Sequence, residues 1–366
     1  MLLAFAEVRR SLGRFSLLVG SVALLVILLL FFQAVAGALT GGLTGAYEAA
    51  SADVWVYDDS ARRNPQASVL QEGATDAVAD LDGVEIAAAV TFTVFDVDGE
   101  PTAVVATDPG SPALPAALAT GRAAGDAGEG VVGTSAFVGD GPGDTLVLPG
   151  DVEVTVVGTA TGATFNILPT VFTDRASVAA ATAARAGAAV RLPISALAVT
   201  AAEGTDPAEL AARIGAEVAG VEAVTRDVAI ASLPGAGTIT RSFSILYVLL
   251  YLVVAIVTAV FFQILTVQKR DALVLLRAVG GRSIDLVRPV LIQVLVVVGG
   301  AVVLGTAAAV GLLAGARDVF GATLSGSTIV VSAGLLLLLG LAAGLLSVRR
   351  VLAVDPVEAV RGGGLR

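Results

Sequence analysis

The chain has 366 residues, 56% of them apolar and 15% charged, with a mean hydropathy of +0.88 and a net charge of −10; a soluble domain of this size is far less apolar, so the composition is that of a membrane protein. With no Cys and no His, the sequence excludes a disulfide framework, a Cys/His zinc centre and every nucleophilic arrangement that needs an imidazole or a thiolate. The single lysine, Lys269, stands outside any GxxxxGK[ST], so no phosphate-cradling loop is encoded and nucleotide energy has to come from a partner.

Residues 1–14 form an amphipathic cytoplasmic segment carrying Arg9, Arg10 and Arg14. An uncharged run from Phe15 to Tyr47 follows. Its apolar core, Phe15 to Phe32, exceeds the length of a cleaved leader's apolar region, so a retained first span over 15–40 is expected. A wholly helical run would reach roughly 50 Å, enough to continue as a stalk unless Gly37, Gly41, Gly42 and Gly45 loosen it.

Residues 41–242 hold nine arginines against 26 carboxylates, a net charge near −17. Such charge suits a solvated, exported domain, and without a basic stripe it excludes nucleic acid as a partner. Strands are expected at "SADVWVYDD" (51–59), at 87–109 as a hairpin turning on Asp98-Gly99, and as several short strands over 143–174. Helices are expected at 177–188 and 206–218, the latter capped by Asp206 with Pro207 in its first turn. This is an α+β domain. Asp96, Asp98 and Glu100 imitate the start of a calcium loop, but the DxDxDG order and distal Glu are missing, so a hairpin turn is the reading. "GDGPGDTLVLPG" leads into a strand, not a helix N-terminus, and gets no phosphate.

Three further uncharged runs, Ser242 to Gln268, Pro289 to Ala316 and Val319 to Val348, give spans at 243–267, 286–315 and 328–348, joined by a loop over 268–285 and a short outer loop over 316–327 and followed by a tail over 349–366. The fold class is therefore four transmembrane α-helices with an α+β extracytoplasmic domain inserted between helices one and two. Lys and Arg are concentrated in 1–14, in the 268–285 loop and in the tail, which places both termini and that loop in the cytoplasm and the large domain outside the cell membrane. Glycines in spans three and four, including the Gly340/Gly344 GxxxG, allow close helix approach without naming a dimer face.

The loop reads "RDALVLLRAVGG" over 270–281. Leu273, Leu276 and Val279 recur at helical spacing, Arg270 and Arg277 share another face, and Gly280-Gly281 ends the turn through a left-handed cap before Ser283 opens the next helix. Two readings stand: an interfacial helix contacting anionic membrane lipid, or a docking surface for a cytoplasmic partner.

The stretch Leu276-Arg277-Ala278-Val279-Gly280 resembles the coupling-helix signature of FtsX/MacB-like ABC permeases, departing from it at Ala272 and Leu273. The tail Asp355-Pro356-Val357-Glu358-Ala359 is similar to that family's ending, and "VGDGPGDTLVLPGDVEVTVVGTA" to a passage of its outer domain. The resemblance implies a homodimeric permease, not itself an enzyme, working with two copies of a separate ATP-binding subunit that holds the ATP and Mg. It makes Leu273, Leu275, Leu276, Arg277, Val279 and Gly280, with Asp355 and Pro356, the ATPase-coupling residues. The chain looks most like the branch of short stand-alone permeases that includes Gram-positive haem exporters. That implies efflux of haem or another lipophilic compound, with no cofactor held by this chain. Phe31, Phe32, Phe243, Tyr247 and Tyr251 would line the apolar substrate site, against the alternative that they simply pack or face lipid. With no His or Cys, a haem iron would find only Tyr or carboxylate, and Tyr47 and Glu48, placed just beyond helix one, fit that constraint. A second class remains open, the FtsX-type transmitter that signals to an extracytoplasmic partner such as a cell-wall hydrolase.

Overall fold

The computed structural model describes residues 12–134, 141–268, 283–315 and 324–352. In chain order they form helix α1 (Leu12–Ala49), strand β1 (Val54–Asp58), α2 (Ala74–Ala79), β2 (Val84–Val97), β3 (Glu100–Thr107), β4 (Thr120–Gly121), β5 (Glu129–Thr134), β6 (Thr145–Leu148), β7 (Val152–Thr161), β8 (Thr170–Thr173), α3 (Arg175–Ala186), β9 (Ala196–Ala201), α4 (Pro207–Glu217), β10 (Val221–Thr225), α5 (Arg226–Ser232), α6 (Ala236–Gln268), α7 (Ser283–Gly315) and α8 (Gly326–Leu352). Helices α1, α6, α7 and α8 are each long and apolar enough to cross a bilayer. The chain divides into two compact units, a helical one built from residues to Gly37 and from Ser242 onward, and an α/β one centred on Ala38–Arg241.

The long helices exceed the expected spans at nearly every end, because an uncharged run marks only the part of a helix that lipid requires. Helix α1 does not stop at residue 40. It passes through Gly37, Gly41, Gly42 and Gly45 without a break and ends at Ala49. Likewise α6 begins before residue 243, and α8 starts at Gly326 and runs past residue 348 to Leu352.

In the helical unit, Leu18, Val22, Val26 and Leu29 recur every three or four residues on α1 and are buried. They share a core with Leu250, Val254 and Phe262 of α6, with Val294, Val297, Val298 and Ala301 of α7, and with Leu336 of α8. Glycines set the helix separations. A Cβ on Gly305 would lie 2.7 Å from the Val26 Cβ and 2.8 Å from the Ala23 carbonyl oxygen, so α1 and α7 cross nearly backbone to backbone. Gly340 and Gly344 receive Val298 and Val294, whose side chains would stand 3.0 and 2.5 Å from an added Cβ. The GxxxG is therefore spent on packing α8 against α7 within one chain.

The α/β unit is a ten-stranded sheet with the order β10-β1-β9-β2-β3-β8-β5-β7-β4 and β6 beside β7; the β3/β8 and β5/β7 pairs are parallel and the others antiparallel. Strand β1 is apolar on both faces. Val54 and Val56 pack with Val78 of α2 and with Leu210 and Ile214 of α4. Trp55 and Tyr57 turn the other way, into a core with Leu43, Ala46 and Tyr47 of α1 and Leu233 after α5. The expected hairpin forms with both turn residues at positive φ (Asp98 53°, Gly99 86°), and the Asp96 carboxylate accepts from the Gly99 N–H at 2.9 Å, so this is turn chemistry and not a cation loop. Asp206 caps α4 by accepting from the Ala208 and Glu209 N–H groups at 2.8 and 3.1 Å, with Pro207 in the first turn. Strands β9 and β10 and helix α5 are not signalled by the turn and alternation cues read above.

Candidate functional site

The coupling residues Leu273, Leu275, Leu276, Arg277, Val279, Gly280, Asp355 and Pro356 lie outside the described residues; α6 ends at Gln268 and α7 begins at Ser283 on either side of the loop.

The aromatic residues expected to line a substrate site do come together. Phe31 and Phe32 meet edge to face with centroids 5.9 Å apart, Phe32 lies 6.5 Å from Phe243, and Phe243 lies 6.1 Å from Tyr247. The Tyr247 hydroxyl donates to the Phe32 carbonyl at 3.3 Å, tying α6 to α1. Tyr251, one turn further along α6, belongs to a polar ring that sequence reasoning missed. Its hydroxyl donates to Ser332 Oγ of α8 (3.1 Å), Ser332 donates to Gln33 Oε1 of α1 (3.0 Å), and Gln33 Nε2 reaches back to the Tyr251 oxygen (3.5 Å). Three helices thus meet in one closed hydrogen-bond ring, with Ser332 buried. In hydrocarbon each of these groups would otherwise go unpaired, so the ring fixes which faces of α1, α6 and α8 meet. The available signal was Gln33 itself, an amide in an otherwise uncharged run. The helical unit thus sets an apolar cluster of aromatic rings beside a compact ring of donors and acceptors.

Tyr47 and Glu48 require a correction. They do not sit beyond helix one but in its last turns. Tyr47 is fully buried, lies 4.2 Å from the Trp55 ring, stacks with Phe92 at 5.7 Å and accepts from the Tyr57 hydroxyl at 3.2 Å. Burial pushes the Tyr57 phenol well above its ordinary range, so it stays a neutral donor. Glu48 is exposed and accepts from the Thr44 hydroxyl at 2.5 Å. Adjacent helical positions point about 100° apart, so a buried phenol and a solvated carboxylate do not converge on one iron. Among the described residues no cluster of His, Cys, Asp and Glu is placed to hold a metal ion.

With this geometry in hand, the likenesses to known proteins fall on two parts of the chain. Residues 244–356, which run from within α6 to beyond the end of α8, match the family model described as FtsX-like permease C-terminal. The likeness to FtsX-like permeases thus lies in the C-terminal third of the chain. The chain is also 30% identical over 119 residues to a protein of Staphylococcus haemolyticus (strain JCSC1435) that bears the name hemin transport system permease protein HrtB, an overlap of 32% of this chain and 34% of that protein. The match thus spans about a third of the relative's length. Among solved structures, the periplasmic region of MacB from Actinobacillus actinomycetemcomitans aligns with 50% of this chain and 92% of its own, at 11% identity and a TM-score of 0.33. The extracellular domain of the noncanonic ABC-type transporter YknZ from Gram-positive bacteria aligns with 47% and 98%, at 15% identity and a TM-score of 0.30. Both structural likenesses are distant.

Proposed function

We propose that this chain is the membrane-spanning subunit of an ABC-type exporter, paired as a homodimer with two copies of a separate ATP-binding subunit, and that it moves a hydrophobic small molecule, haem or a similar flat lipophile, out of the membrane. The observation that carries the reading is the FtsX-like permease match over 244–356, whose three helices flank the arginine-rich loop. In this proposal both termini and that loop face the cytoplasm. Leu275, Leu276 and Arg277 dock the ATPase, apolar anchors beside a guanidinium being suited to such a contact. The substrate lies against Phe31, Phe32, Phe243 and Tyr247, and its polar edge exchanges hydrogen bonds with Gln33, Tyr251 and Ser332. Tyr247 and Tyr251 replace Tyr47 as the phenols offered to a haem iron.

A second reading, transmission of force to an extracytoplasmic partner, is favoured by one feature: α1 contributes residues to both compact units without interruption. Reconstitution with the neighbouring ATP-binding subunit in nanodiscs separates the two. Export predicts ATP turnover that changes with haem, a saturable Soret shift, and loss of both in Tyr251→Phe with Tyr247→Phe. Turnover indifferent to haem and to a panel of lipophiles, yet altered by an outer protein partner, selects the transmitter. Replacing Leu276 and Arg277 together by Glu is expected to abolish co-purification of the ATPase while membrane insertion stays intact, and unchanged co-purification removes the coupling role.

A further inference from the structure

The loop between β7 and β8 does not simply pass α1 but bonds to its backbone. The Ala46 N–H donates to the Thr164 carbonyl at 2.8 Å, and the Gly42 carbonyl accepts from the Ile167 N–H at 2.7 Å. Those two helical groups, four residues apart, are the pair that an undisturbed α-helix joins to each other. A third contact runs from the Thr164 hydroxyl to the Gly41 carbonyl at 3.4 Å. Glycine makes room for the loop: a Cβ on Gly45 would stand 1.9 Å from the Gly162 carbonyl oxygen and 3.0 Å from the Thr164 nitrogen, and one on Gly42 would touch Ile167 at 3.4 Å.

On the loop side, Asn166 and Ile167 both hold left-handed backbone, at φ 57° and 61°. Asn tolerates this; a β-branched Ile does so only under strain. The Ile167 side chain is 51% exposed, so its own burial does little to offset that strain. The loop is held by the two backbone bonds to α1, by the Phe165 N–H donating to the Thr170 hydroxyl at 2.8 Å and the Leu168 N–H to the Phe165 carbonyl at 3.1 Å, and by the buried Ala163 and Phe165, the latter stacking on Phe92 with centroids 4.5 Å apart. Phe165 thereby closes one side of the cluster of Tyr47, Trp55 and Phe92.

We propose that residues 162–168 are a releasable clasp on the Gly41–Ala46 turn of α1. A segment that stores backbone strain, as this one does at Ile167, opens at a lower free energy than the regular sheet beside it. Release frees the Gly42 carbonyl and the Ala46 N–H from the loop and lifts Phe165 from the aromatic cluster. The clasp concerns the α/β unit alone and stands whether the chain exports a lipophile or transmits force.

Hydrogen exchange on the full-length chain in nanodiscs tests it, with acrylamide quenching of Trp55, the single tryptophan, as the second readout. Peptides covering 42–47 and 162–168 are expected to exchange at one common rate, faster than β1. Ile167→Asn, which keeps a side chain but tolerates left-handed backbone, is expected to slow exchange in both peptides roughly fivefold, the population change that relieving such strain produces, and to reduce quenching. Gly45→Ala is expected to speed both. Because the chain has no cysteine, Gly42→Cys with Ile167→Cys gives an unambiguous crosslink, and its disulfide should suppress the exchange. Unrelated rates in the two peptides, unchanged or faster exchange in Ile167→Asn, or failure of the crosslink to form would each overturn the clasp.

Discussion

The Glu129 carboxylate gathers four hydrogen bonds. Arg122 donates to it through Nη1 at 2.7 Å and again through Nη2, and the Gly125 and Asp126 N–H groups add bonds at 3.0 and 3.2 Å. The Arg122 bonds first, and the Gly125 amide next, hold its carboxyl at about 2 instead of 4.5. For Asp174, burial pushes upward, but bonds from Ser177 and from the Gly128 N–H outweigh it and the carboxyl ends below its ordinary value. Both groups bind protons more readily in the unfolded chain. Their stabilisation is complete above the unfolded carboxyl range and is lost as pH falls toward the folded values. The melting temperature is therefore expected to drop between about pH 4.5 and 2, with a shallower slope in Glu129→Gln, as measured by scanning calorimetry. Gly305 gives a second residue-scale outcome. Gly305→Ala forces a methyl into Val26 and should cost about 1–3 kcal/mol by overpacking, whereas Gly311→Ala, with nothing within 4 Å of the new atom, should be near neutral; thermal unfolding of both in nanodiscs decides it. At this scale the sequence was a partial guide. Asp206 and the Asp98-Gly99 turn carry their structure in local chemistry and were legible, but Tyr47 was not: an aromatic at the end of an apolar run looks the same whether lipid, substrate or a Trp from a later strand awaits it.

Among the helices, the polar ring is the arrangement that sequence periodicity could not supply, since Gln33 and Ser332 lie 299 positions apart. The four long helices, by contrast, were readable from charge-free length alone, because hydrocarbon forbids unpaired backbone and leaves a helix as the available solution. Strands fared unevenly. The β2–β3 hairpin announces itself through its turn, while the non-local pairs β1/β9 and β1/β10 depend on partners that no local window contains. A double-mutant cycle measures the ring: Gln33→Leu and Ser332→Ala are expected to couple by roughly 0.6 to 1.7 kcal/mol, the range for hydrogen bonds between membrane helices. Additive effects in nanodisc unfolding would mean that the ring binds no helices together.

For the molecule as a whole, the orientation drawn from arginine placement is directly measurable, since any introduced cysteine is the only one. Ala188→Cys, on an exposed position after α3, should react with a membrane-impermeant maleimide added to intact cells, and labelling only after lysis would invert the topology. The sheet order carries a different consequence, for biosynthesis. Strand β1 lies between β9 and β10, so the first strand to leave the ribosome has neither neighbour until the last two have been made. Its backbone stays unpaired, and both its apolar faces uncovered, throughout that interval, a slow, non-local closure of the kind that exposes a chain to aggregation. A truncation anywhere before Thr225 would leave not a smaller α/β unit but an unfinished one, its first strand short of a neighbour.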